Sequence, residues 1–156
     1  MTATGTATVV TVVFHHIYRY ARTPREIAAL IDQIVEAPLD PMVHVTVWDR
    51  PCLSHRDPGG PAAPAVRLRV SSYPGTGWGA LNWADARPGA AGGELVDSFN
   101  PDADERTPPL LFDEEGDLWF PASASLPLDR VREAVAEYCG TGLRPACVRW
   151  QPGCWY

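Results

Sequence analysis

The sequence predicts an α+β fold: a mainly antiparallel β-sheet with two α-helices packed on one face. Three observations predict it. Short β-branched and aromatic runs recur through the middle of the chain, separated by Gly/Pro turns, which is the pattern of antiparallel strands. One early and one late segment carry apolar residues at helical spacing. The order is strand, helix, a run of about five or six strands, helix, strand, and consecutive strands with short turns exclude a parallel βαβ sheet. At 156 residues and 46% hydrophobic content the chain suits one domain over 1–156 with a single core.

Residues 8–20 (TVVTVVFHHIYRY) are rich in β-branched and aromatic side chains and read as one long first strand. Thr23-Pro24-Arg25-Glu26 is a capping box with proline at the first helical position. Ile27, Leu30, Ile31, Ile34 and Val35 then form a helical stripe that closes before Pro38. Residues 42–48 (MVHVTVW) alternate as a second strand. Residues 49–64 (DRPCLSHRDPGGPAAP) are punctuated by Pro and Gly and read as a surface loop insertion.

Residues 65–71 (AVRLRVS) alternate strictly. Val66, Leu68 and Val70 point one way, Arg67 and Arg69 the other, as in a half-buried strand. A turn at 73–77 leads into the strand 78–83 (WGALNW), where Gly79 marks a close approach. Residues 84–93 form another Pro/Gly loop, residues 94–99 a short strand, and residues 100–109 an acidic loop.

The stretch 108–150 reads as a hairpin, a helix and a closing strand. Leu110, Leu111 and Phe112 form one apolar run and Leu118, Trp119 and Phe120 a second. The charged link between them contains Gly116, suited to the turn. Ser123 and Ser125 offer N-cap oxygens and Pro127 fits the first helical turn. Leu128, Val131, Val135 and Tyr138 face a core; Asp129, Arg130, Arg132, Glu133 and Glu137 face away. Gly140 and Gly142 are read as positive-φ stops, and residues 147–150 as a strand.

This stretch, preceded by Gly77-Trp78-Gly79-Ala80-Leu81, resembles the immunity proteins of bacterial polymorphic toxin systems, and more narrowly the first-numbered Imm family. The matching elements are that Trp/Gly segment, the late helix with Gly142 and Pro145 after it, and the strand 148–150. The resemblance spans residues 75–153; residues 51–64 have no counterpart in it. It implies a small α+β protein that binds and silences a cognate toxin, a nucleic-acid deaminase as the expected class, in the cell that produces it. It implies no catalysis and no cofactor.

The composition bounds the partners. Net charge is −6 and every basic residue is arginine. An acidic chain is a poor nucleic-acid binder and a better match for a basic partner. The N-terminal residues show no basic n-region and cleavage site, and no apolar run is long enough to span a bilayer. The expected location is cytoplasmic, with the four cysteines as reduced thiols; Cys147 and Cys154 pair only if fold and compartment bring them together.

Chemical motifs are sparse. There is no H-x-E with P-C-x-x-C, so the chain is not itself a zinc deaminase. There is no G-x-S-x-G and no phosphate loop. Asp102, Asp104 and Glu105 read as solvated charge. The alternative to an immunity protein is a small metal-binding enzyme or zinc-dependent domain using His15, His16, His44, Cys52 and His55. Only one half-knuckle, Cys52-Leu53-Ser54-His55, supports it, and a buried thiol beside a solvent-facing imidazole is the plainer reading.

Nine of the nineteen acidic residues fall between Glu94 and Asp117, with Arg106 the only basic residue among them. A solvated face explains such a run. So does a patch that steers toward the basic groove of a nucleic-acid-directed toxin and mimics phosphate there. The residues assigned to toxin binding are Glu94, Asp97, Asp113, Glu114, Glu115 and Asp117, with Trp78, Trp83 and Trp119 as aromatic anchors.

Overall fold

The computed structural model describes residues 8–87 and 94–155. The antiparallel sheet and two helices expected from the sequence are present. The strands are β1 (Val9–Phe14), β2 (Ile17–Ala21), β3 (Met42–Trp48), β4 (Val66–Tyr73), β5 (Trp78–Asp85), β6 (Glu94–Phe99), β7 (Leu111–Asp113), β8 (Leu118–Trp119), β9 (Leu126–Pro127) and β10 (Arg149–Pro152). The helices are α1 (Pro24–Glu36) and α2 (Leu128–Thr141). The main sheet runs β10-β6-β5-β4-β3-β1-β2, with β9 paired to the start of β5, while β7 and β8 form a separate hairpin.

The long first strand is instead a hairpin. β1 turns at His15, whose φ is +58°, and β2 returns beside it with Phe14 opposite Ile17. The β-prone side chains are correct for both strands, but nothing in their composition marks the reversal. α1 begins as its capping box requires. The Thr23 hydroxyl accepts from the Glu26 amide at 3.1 Å, and the Glu26 carboxylate accepts from the Arg22 and Thr23 amides.

α2 begins differently from expectation. Its N-cap is Pro127, with no side-chain cap. Ser125 donates to the Pro108 carbonyl at 2.6 Å, and Ser123 pairs with Gln151. Both serines tie loops together, and the chain passes through a 3-10 turn and β9 before the helix starts. Gly142 ends α2 at φ +71°, donating to Tyr138, whereas Gly140 is inside the helix. In the β7–β8 turn the positive φ belongs to Asp117, at +51°, and not to Gly116. The closing strand lies two residues later than the apolar pattern suggests, paired with β6.

Both helices cover one face of the sheet. Val10, Val12 and Phe14 of β1, Val43 and Val45 of β3, Leu68 and Val70 of β4, and Leu81 and Trp83 of β5 meet Ile31, Ile34, Val131, Val135 and Tyr138 there. The Tyr138 hydroxyl accepts from the Val47 amide at 3.2 Å, and its ring meets Trp83 edge-on at 5.3 Å. Burial pushes the Tyr138 phenol far up and the neighbouring Cys139 thiol to about 12, so both stay neutral.

The opposite face carries His44, Thr46, Arg67, Arg69, Ser71 and Asn82. It is covered rather than open. Loop 49–64 folds across β1 and β3, with Cys52 and Ala63 fully buried. The Cys52 amide donates to Thr11, and Tyr20 donates to the Cys52 carbonyl. The β7–β8 hairpin covers β4 and β5 through a second core of Ala80, Leu110, Phe112, Phe120 and Ala124. The predicted loop 84–93 lies partly outside the described residues. All four cysteines, Cys147 and Cys154 included, are free thiols.

Gly79 faces the first turn of α2. A Cβ there would lie 2.7 Å from the Ser71 carbonyl oxygen and 2.9 Å from Val131, whereas one at Gly140 meets open space. Gly79→Ala is therefore expected to cost about 1–3 kcal/mol through overpacking. Gly140→Ala is expected to gain up to about 1 kcal/mol through helix propensity. Urea unfolding midpoints of the two variants check both signs.

Candidate functional site

All four histidines of the chain line one cleft of about 620 Å³ at the end of the sheet where β1 turns into β2. The β1–β2 turn supplies His15 and His16. The connection from α1 to β3 supplies Leu39 and Asp40, and loop 49–64 supplies His55 and Arg56. His44 of β3 and Arg69 of β4, cross-strand partners in register, form the floor. The far wall is the hairpin tip, with Asp113, Glu114 and Glu115. A histidine and arginine side thus faces an acidic side. A smaller cavity of about 150 Å³ continues behind His44 and His55 toward Cys52 and Arg67.

The floor is underpaired. The His44 ring sits 4.9 Å from that of His55, and its buried Nδ1 has no hydrogen-bond partner. Burial drives the His44 pKa well below the usual imidazole value, and Arg67, Arg69 and His55 push the same way. His55 is also lowered, first by burial and then by Arg56 and His16; its Nδ1 lies 3.0 Å from the Tyr18 hydroxyl. Arg69 stacks on Phe112 of the hairpin, its guanidinium carbon 4.1 Å from the ring centroid. Its Nε is buried without a partner. Burial lowers its pKa, while Asp113 and Asp40 oppose that shift.

The residues assigned to toxin binding separate into three groups. Asp113, Glu114, Glu115 and Asp117 share the hairpin, and Trp119 beside them is 45% exposed. The Trp119 indole donates to Asp117 at 3.0 Å, and the Trp119 backbone carbonyl accepts from the Trp155 indole. Glu94 lies opposite Asp85, at the other end of β5 from the hairpin, and is bound to Arg144 at 2.7 Å. It does not join the tip in one patch.

Asp97 and Trp83 lie in the interior, at 1% and 3% exposure. Asp97 accepts from Asn82, which in turn accepts from Arg67, each at 2.9 Å. Burial raises the Asp97 pKa, with the Asn82 bond opposing. Trp83 belongs to the main core. Trp78 is half-buried against the hairpin core.

The residues of the metal alternative do converge. His15, His16, His44 and His55 share the cleft, and Cys52 lines the cavity behind it. Among the described residues, however, no three His, Cys, Asp or Glu side chains are placed to hold a common ion. Sequence reasoning missed Asp40, Arg56 and Arg69. The only signal for Arg69 was the alternation of β4, which assigned it to a solvent face that is in fact roofed by the hairpin.

The family model described as "Immunity protein Imm1" matches residues 15–152. That span reaches back to residue 15 and across loop 49–64, beyond the stretch that carries the motif resemblance. No curated protein and no solved structure matches the chain. Among the described residues no helix is long and apolar enough to cross a membrane.

The buried imidazole gives a pH signature. Below about pH 6.5 the unfolded His44 takes up a proton that the folded one refuses. Folded stability therefore falls as pH drops from neutrality toward the depressed folded value, by at most about 1.4 kcal/mol per pH unit for this group. His44→Gln is expected to flatten that limb. Denaturation midpoints measured across that pH range for the two proteins check the difference in slope.

Proposed function

The chain belongs to the Imm1 immunity protein family, and on that premise we propose that it binds a cognate toxin and silences it by steric occlusion, with no chemistry of its own. The toxin class we assign is a nucleic-acid deaminase, and the place of action is the cytoplasm of the producing cell. The deaminase assignment rests on the family resemblance, and the charge pattern is compatible with it.

The observation that carries the binding reading is the hairpin tip. Asp113, Glu114, Glu115 and Asp117 project from one short turn next to the exposed Trp119. A toxin that acts on nucleic acid presents a basic groove, because it must neutralise phosphates. An acidic projection with an aromatic at its base suits such a groove: the charges steer the encounter, and the ring supplies buried contact area. Glu94 is a weaker candidate, since Arg144 already neutralises it, and Asp97 and Trp83 serve the interior.

The test is binding of this protein to the toxin domain encoded beside it, with an activity assay of that toxin. Wild-type protein is expected to abolish activity. The double reversal Glu114→Arg, Glu115→Arg is expected to slow association about tenfold or more at low salt, with the deficit shrinking as salt rises. Trp119→Ala is expected to act on dissociation, at about 1–3 kcal/mol. Binding that ignores all three substitutions would move the interface off the hairpin. No binding by the wild-type protein would remove the toxin reading itself.

A further inference from the structure

We propose that the cleft floor at Arg69 and His44 receives a carboxylate of the bound toxin, so that the interface reads an acid on the toxin as well as its basic groove. The inference rests on the toxin-binding reading above and specifies a second point of contact.

Arg69 is a cation without a carboxylate in direct contact. Stacking on Phe112 engages the face of the guanidinium and uses none of its five N–H donors. Its Nε is buried and unsatisfied, and among the described residues no carboxylate reaches ion-pair distance of it. Asp113 and Asp40 act on it through space, and each also accepts from a backbone amide. Asp40 accepts from the Met42 amide at 2.9 Å, and Asp113 accepts from the Glu115 amide at 3.0 Å. Beside Arg69 in register stands His44, whose Nδ1 is likewise buried and unpartnered. Arg69 lines the cleft, and a carboxylate entering there meets the guanidinium with charge-assisted, fork-like hydrogen bonds.

The surroundings favour a protein carboxylate over a free oxoanion. The rim holds Asp113, Glu114 and Glu115, which repel a multiply charged anion. A protein surface brings one carboxylate together with basic groups for that rim. The rim is also partly apolar: Ile17 is 49% exposed and Leu39 53%, and only a macromolecular partner covers such side chains as it seats.

The experiment is a binding titration of the toxin domain against wild-type protein, Arg69→Gln and Arg69→Lys, combined with single Asp→Asn and Glu→Gln scanning of the toxin. Arg69→Gln is expected to weaken binding about tenfold or more, chiefly in dissociation, and Arg69→Lys to recover part of the loss. One toxin acid is expected to show a comparable loss, and that loss is expected to vanish in the Arg69→Gln background. The toxin scan against the wild-type protein decides the matter even if Arg69→Gln loosens the hairpin. If no toxin acid matters, the inference is overturned. If Arg69→Gln binds as wild type while Glu114→Arg, Glu115→Arg binds weakly, the inference fails and the toxin reading stands. If wild-type protein does not bind, both fail. If inorganic phosphate raises the Tm through Arg69 and no toxin acid matters, the site takes a free oxoanion and the inference is overturned.

Discussion

The stack of Arg69 on Phe112 is the contact on which the functional end of the molecule depends. It joins the centre of β4 to the β7–β8 hairpin at 4.1 Å. Ser71 adds a hydrogen bond to the Leu111 carbonyl, and Phe112 meets Phe120 edge-on at 5.2 Å. Together they hold the acidic turn over the sheet, so that Asp113, Glu114 and Glu115 face the histidines across a cleft. The same stack occupies the flat face of the guanidinium, and Arg69 lines the cleft. The stack thereby links the hairpin to the cleft floor beneath it.

The two faces of the sheet divide the labour. The helix face is apolar and closed, with Tyr138 tying α2 to β3 and β5. Its burial supplies the bulk of folding stability. The other face carries polar side chains in register across strands, including Arg67, Asn82 and Asp97 in one hydrogen-bonded line. Such a line is stable only when its members satisfy one another. It ends near the C-terminal residues, where Asn82 also donates to the Trp155 carbonyl. Loop 49–64 and the hairpin roof this face without filling it, and the space they leave is the cleft. The family match over residues 15–152 spans loop 49–64 and the hairpin, while β1 precedes it.

Local physics made much of the fold legible. The capping box at Thr23, the stripes of both helices, the alternation of β3 and β4, the stop at Gly142 and the close approach at Gly79 each follow from side chains within a few residues of one another. The reversal at His15 did not, because residues 8–20 are uniformly β-prone and the turn carries no glycine. Ser123 and Ser125 imitate caps, since a hydroxyl before a helix is the usual capping signal, yet both are drawn to partners far away in sequence. The acidic run between Glu94 and Asp117 mixes four environments: a salt-bridged strand end, an interior carboxylate, the exposed loop of Asp102, Asp104 and Glu105, and the exposed hairpin turn.

What the sequence by itself determined is therefore the class of fold, the elements and the acidic character of the chain, because these arise from local periodicity and composition. What only the tertiary structure decided is the site. Four histidines drawn from residues 15 to 55 converge with Arg69 and Asp113 only after β1, β3 and β4 pair and the hairpin closes over them. Asp97 becomes interior only when β10 and the C-terminal turn cover β6. Side chains distant along the chain acquire a common environment through strand register and roofing, and neither quantity is written in any local stretch of residues.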